Sequence, residues 1–141
     1  MTLEAWVYPT VTPTDWSTVM MKEQSGELAY VLYAGSPTNR PNSYIFVSNE
    51  LGVAGPTALP LNSWSHLAST YNGTTLRLYV NGTQVASKAI SGSIVSSTGA
   101  LRIGGNSVWT EYFTGRIDEV RIYNRALSAN EIQADMKTAV R

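Results

Sequence analysis

The chain has 141 residues, 43% of them hydrophobic and 14% charged, with ten basic and ten acidic side chains and a formal net charge of zero. That length suits one domain burying roughly two thirds of its unfolded surface around a single core. The balanced charge excludes the basic excess of a nucleic-acid binder and the Lys/Arg run of a membrane-surface domain. The absence of cysteine removes disulfides, thiolate metal sites and a cysteine nucleophile together.

Met1-Thr2-Leu3-Glu4 has neither the charged start nor the apolar run of a signal peptide, and no apolar stretch is long enough to cross a bilayer, so no membrane insertion is expected. Low charge with abundant Ser, Thr, Asn and Gly fits the surface of a secreted protein. From Thr2 to Tyr123 the apolar residues alternate or form short β-branched and aromatic runs broken by Gly, Pro and Asn. This pattern predicts many short antiparallel strands. In chain order they are Leu3 to Tyr8, Thr18 to Glu23, Leu28 to Tyr33, Tyr44 to Ser48, Trp64 to Tyr71, Leu76 to Val80, Thr83 to Lys88, Ala100 to Ile103 and Arg116 to Tyr123. The stretches Gly35 to Asn42 and Gly52 to Pro60 read as loops.

Asn72-Gly73 and Asn81-Gly82 each read as a two-residue hairpin turn, because both central positions need positive φ. Together they predict a three-stranded meander with Leu76, Leu78 and Val80 on one face. Both turns also spell glycosylation sequons, Asn72-Gly73-Thr74 and Asn81-Gly82-Thr83, though turn chemistry explains them without a glycan. Ser128 and Glu131 form a capping box, predicting a helix from Ala129 to about Thr138 that packs through Ile132 and Met136. The fold class is therefore all-β: a two-sheet antiparallel sandwich with a short C-terminal helix.

Four ordered blocks carry a family resemblance: Thr2 to Pro9 (TLEAWVYP), Trp64 to Ala68 (WSHLA), Leu76 to Gly82 (LRLYVNG) and Phe113 to Ser128 (FTGRIDEVRIYNRALS). Over nearly the whole chain they resemble the laminin G-like, concanavalin A-like jelly-roll modules of secreted bacterial proteins. The resemblance implies a single jelly-roll domain over 1–141 and a non-catalytic module attached to secreted or surface proteins. It further implies ligands that are often glycans and, in some members, a calcium ion. Such modules carry further strands before the TLEAW block. The expectation here is an N-terminally truncated domain with an unpaired edge or open seam, prone to self-association through that edge.

Catalytic readings fare poorly on the residues themselves. Asp118 and Glu119 are adjacent, so on a strand they face opposite ways and cannot serve as the acid and base of glycoside hydrolysis. His66 is the only histidine; it lies inside the meander and reads as a hydrogen-bonded structural residue, and one His without Cys leaves only carboxylates for zinc. Asp118 shares a strand face with Val120 and Ile122 and is expected to be partly buried, needing backbone N–H groups, an Arg or calcium as partner.

For binding, exposed aromatics stack on sugars while polar neighbours engage hydroxyls. Trp16 and Trp109, at loop edges, are the candidate stacking residues. Asn39, Arg40, Tyr30 and Lys22 are candidates to complete a polar concave face, with a Lys22 to Glu111 salt bridge as the ordinary alternative. Trp6 and Trp64 are expected in the core. The leading reading is a lectin-like module that binds carbohydrate or another extracellular ligand. The alternatives are a structural or protein-interaction module without a small ligand and, behind both, a glycoside hydrolase.

Overall fold

The computed structural model describes residues 1–140 and contains ten strands and one helix. β1 (Thr2–Pro9) places Leu3, Ala5 and Val7, fully buried, against the core and Trp6 and Tyr8 on the opposite face, where Thr2 and Glu4 are buried as well. It joins β6 (Ser65–Tyr71), β7 (Thr75–Val80), β8 (Thr83–Ala89) and β10 (Gly115–Tyr123) in the first sheet, ordered β10-β1-β6-β7-β8. The second sheet takes β2 (Ser17–Gln24), β3 (Glu27–Gly35), β4 (Asn42–Phe46), β5 (Glu50–Ala54) and β9 (Leu101–Ile103), ordered β5-β4-β3-β2-β9. Every pairing is antiparallel. The chain changes sheet four times, giving the antiparallel sandwich that period-two patterning predicts and the jelly roll that the family resemblance implies.

The main core lies between the sheets, where Leu3, Val7, Met20, Leu32, Ile45, Leu67, Leu76 and Leu78 are buried together. Each such side chain contributes about 1.5–3 kcal/mol by leaving water. Leu76 and Leu78 share the core face, as the meander requires. Only one of its two turns has the expected form. Asn81 (φ 50°) and Gly82 (φ 75°) are both left-handed, whereas at the other turn only Gly73 is (φ 94°). There the Asn72 side chain instead accepts from the amides of Thr74 and Thr75 at 3.1 and 2.9 Å, opening a wider loop. The last three residues of β5, Gly52 to Ala54, fall on a stretch read as loop. Its Gly52 pairs with Tyr44, whose ring lies where a Cβ would sit, so a residue suggesting a breaker instead makes room for an aromatic ring.

The helix α1 (Ala129–Asp135) has the predicted capping box, with the Glu131 amide donating to Ser128 Oγ at 3.3 Å and the Ser128 amide to Glu131 Oε2 at 2.8 Å. It is shorter than expected and packs Ile132, fully buried, against Ala68 and Tyr79 on the outer face of the first sheet.

The side of the sandwich bearing β9 and β10 is open. Leu101 and Ile103 pair with Lys22 and Met20 and Ile122 with Leu3, so all three have the phase of the inner faces. They nevertheless remain 46%, 54% and 39% exposed, because each lies on the last strand of its sheet and no described residue covers it.

Candidate functional site

The outer face of the second sheet carries an apolar layer of its own, Met21, Leu28, Val31 and Tyr33, flanked by Trp16, Tyr44, Phe46 and Val108. The layer is roofed by the 104–114 crossover between β9 and β10. Glu23 anchors this roof. Its carboxylate accepts from the Ser107 amide at 2.6 Å, from Ser107 Oγ at 2.9 Å and from Arg102 Nε at 2.8 Å. Burial alone would raise its pKa, yet these donors hold it below the usual carboxylate range.

Asn106, also buried, donates through Nδ2 to Thr18 Oγ1 and Glu111 Oε2 at 2.9 and 2.8 Å, while its Oδ1 accepts the Trp109 amide at 2.8 Å. It therefore fixes two rim residues of the cleft that results. Trp16, Tyr33, Trp109, Glu50 and Glu111 line a depression of about 280 Å³. Trp16 tilts over Tyr33 at 4.9 Å between ring centroids and meets Tyr44 edge-on at 5.6 Å, and Tyr33 Oη donates to Glu111 Oε2 at 3.0 Å. Trp109 is 39% exposed.

The cleft is acidic. Burial, and then Asp15, raise the Glu111 pKa despite the hydrogen bonds from Asn106 and Tyr33. Burial, followed by Glu27 and Glu111, raises that of Glu50. The side chains facing the cleft thus combine aromatic surface with carboxyl acceptors, the pairing that stacks on a sugar ring and takes its hydroxyls.

Of the residues singled out in the sequence, the structure brings Trp16 and Trp109 together across this cleft. Asn39 (φ 52°) and Arg40 lie in the β3–β4 loop beyond its lining, where Arg40 Nε donates to Thr38 Oγ1 at 3.4 Å. Tyr30 and Lys22 are cross-strand partners away from the cleft. Tyr30 packs toward the main core, and Lys22 Nζ donates to the Gly99 carbonyl at 2.5 Å rather than forming the alternative salt bridge with Glu111. Tyr33, Tyr44 and Glu50 escaped notice. Tyr33 and Tyr44 alternate with core residues on their strands, a signal that the second sheet face also buries surface.

Asp118 departs from expectation. Glu119 adopts φ 53° at a bulge in the pairing with β1, where Glu4 meets Arg121 but Trp6 meets Asp118. The extra residue resets the alternation, so Val120 packs inward while Asp118 is exposed beside Trp6 and Trp64. Its Oδ1 accepts the Glu119 amide at 2.8 Å. One exposed carboxylate among tryptophans does not fit calcium's six to eight oxygens. Among the described residues no group of three or more His, Asp or Glu is placed to hold a metal.

Trp6 and Trp64 are not core residues either; Trp64 is 40% exposed. His66 is fully buried as expected, but neither ring nitrogen has a partner. It shares the space beneath α1 with Glu4, equally buried and unpartnered. Burial, then the Asp135 carboxylate, pushes the Glu4 pKa up to about 8. Burial, then Arg121, pulls that of His66 down to about 4. Both side chains are fully shielded from solvent.

The family profile described as the concanavalin A-like lectin/glucanases superfamily matches residues 1–133. Pappalysin-1 of Mus musculus is 35% identical over 80 residues, covering 53% of this chain and 5% of its own length. Among solved structures, a candidate carbohydrate-binding protein of Bacteroides ovatus superposes with TM-score 0.77 at 26% identity, covering 99% of this chain and 41% of its own. The CBM40 domain of the Ruminococcus gnavus IT-sialidase, solved with α2,3-sialyllactose, gives TM-score 0.74 at 17% identity over 94% of this chain and 80% of its own. The chain thus spans a small part of its pappalysin relatives and under half of the Bacteroides protein. No helix is long and apolar enough to cross a membrane.

Proposed function

The chain belongs to the concanavalin A-like lectin/glucanase superfamily, and on that premise we propose that it is a non-catalytic, extracellular module that binds carbohydrate through the Trp16/Trp109 cleft. The observation carrying this reading is the convergence of those two tryptophans with Tyr33, Glu50 and Glu111 around one small depression. Its volume, about 280 Å³, is near the lower end of the roughly 300–1,000 Å³ of small-molecule sites and suits one sugar ring at a time. The bonded frame of Asn106, Glu111 and Trp109 is set before any ligand arrives, which reduces the ordering cost of binding. That the Bacteroides and Ruminococcus neighbours are described as carbohydrate-binding supports the same reading.

The acidic rim further selects neutral glycans over sialylated or uronic ones, because a ligand carboxylate would meet Glu50 and Glu111 without a compensating cation. A glycan array tests both points. Neutral oligosaccharides should dominate the signal, and Trp109→Ala should weaken the strongest by about tenfold or more. An array led by sialylated glycans would overturn the selectivity, and no glycan signal at all would overturn the reading.

A second reading, as a protein-interaction module, is favoured by the open side of the sandwich. Strand edges β9 and β10, with Leu101, Ile103 and Ile122 exposed between them, can template another strand. On this reading sedimentation shows concentration-dependent dimers that Ile103→Lys abolishes. A monomer at all concentrations removes it.

A further inference from the structure

We infer a second, independent saccharide site on the outer face of the first sheet, formed by Trp6, Tyr8, Trp64 and Asp118. Helix α1 covers only part of that face, over Ala68 and Tyr79. Where the helix does not reach, β1 turns Trp6 and Tyr8 outward because Leu3, Ala5 and Val7 occupy the core phase. Trp64, just before β6, closes on Tyr8 in a T-shaped contact at 5.4 Å, and Arg116 sits over the Tyr8 ring with its guanidinium carbon 5.4 Å from the centroid. The result is an aromatic floor that belongs to none of the three apolar clusters. Trp64 leaves 40% of its surface in water, and Trp6, Trp64 and Asp118 line a depression of about 290 Å³, close in size to the Trp16/Trp109 cleft.

The chemistry of this patch specifies its ligand. Indole faces favour the weakly polar C–H face of a sugar ring or another flat apolar body. The carboxylate at the rim narrows the choice. Asp118 Oδ1 is held by the Glu119 amide at 2.8 Å, which fixes the orientation of the group, while Oδ2 has no partner among the described residues. A fixed, solvent-facing acceptor beside indole rings matches a ring bearing hydroxyl donors. The bulge at Glu119 is what places it there; in an unbroken strand Asp118 and Val120 would share a face. Because the two depressions lie on outer faces of opposite sheets, their occupants sit on opposite sides of the sandwich. One module could then hold two glycan chains at once and gain avidity on a polysaccharide surface.

The inference rests on the carbohydrate-binding reading for its ligand class but not on the Trp16/Trp109 cleft, and the four indole N–H signals of Trp6, Trp16, Trp64 and Trp109 separate the two. A ¹⁵N-labelled protein is titrated with arabinotriose, cellohexaose, xylohexaose and N-acetylchitohexaose. At least one of these should shift the Trp6 and Trp64 signals saturably. That response should persist in Trp109→Ala, disappear in Trp64→Ala, and need about tenfold more ligand in Asp118→Asn. The inference is overturned if no saccharide moves the Trp6 and Trp64 signals, whatever Trp16 and Trp109 do. It is equally overturned if those signals move only while Trp109 is intact, or move on simple dilution of the protein, which would mark the patch as a protein contact.

Discussion

In the crossover over the second sheet, Asn106 is hydrogen-bonded through Nδ2 and Oδ1, and Glu111 through Oε2. Under α1 on the first sheet, the side chains of Glu4 and His66 have no hydrogen-bond partner. Asn106 and Glu111 belong to the covering crossover itself, whereas Glu4 and His66 lie on the strands β1 and β6, and the consequences differ. The bonded pair stays polar, and its partners aim it at an open cleft. The unbonded pair is tolerated only in neutral form, the Glu4 carboxyl protonated and the imidazole deprotonated, because burying an unpaired charge costs far more than burying a neutral polar group. Hydrogen bonds orient the side chains at the open cleft; burial neutralises those in the closed region.

The contrast breaks most visibly in stability. Ile132→Ala removes the fully buried side chain that seats α1 and should cost about 2–5 kcal/mol in denaturant unfolding. Trp109→Ala, on the cleft rim, should stay within about 0.5 kcal/mol of the parent. Comparable losses from the two variants would erase the distinction between a sealed region and an open one.

A smaller effect follows from pH. Glu4 rises from 4.5 to about 8 on folding, so the folded state binds the extra proton and stability falls as pH rises between those values. His66 drops from 6.5 to about 4, so the unfolded state binds the extra proton and stability rises with pH over that window. From pH 4.5 to 6.5 the two slopes oppose and nearly cancel. From 6.5 to 8 Glu4 is the member of the pair that still titrates and its contribution declines, opposed by the Met1 ammonium, whose pKa burial lowers from 8.0. Melting curves of Glu4→Gln should lose that decline; an unchanged profile would show that Glu4 is not the protonated group.

Much of this molecule was legible in its sequence where one alternation governs one face. The strand blocks, the capping box and the Asn81-Gly82 turn follow from local rules, and Trp16 and Trp109 stood out because loop aromatics have little reason to exist without a contact. The failures share a cause, which is that a single residue changed the local phase or its neighbour's space. The bulge at Glu119 turned Asp118 outward. Gly52 looked like a breaker but admits the Tyr44 ring. The outward phase of β1 and the limited reach of α1 left Trp6 and Trp64 uncovered, although their blocks read as core. Tyr33 and Glu50 entered the cleft through strand pairing and a crossover, which no local spacing encodes. Tyr30 and Lys22 lie off it because regular alternation with Leu32 and Met20 gives them the inner phase of the sheet.

The central claim, that the outer face of the second sheet binds glycan, is tested most directly by calorimetric titration of the strongest neutral oligosaccharide from the array into the parent protein and Trp109→Ala. The account predicts binding to the parent, an affinity about tenfold or more lower in the variant, and equal melting temperatures. Equal affinity in the two proteins would contradict it.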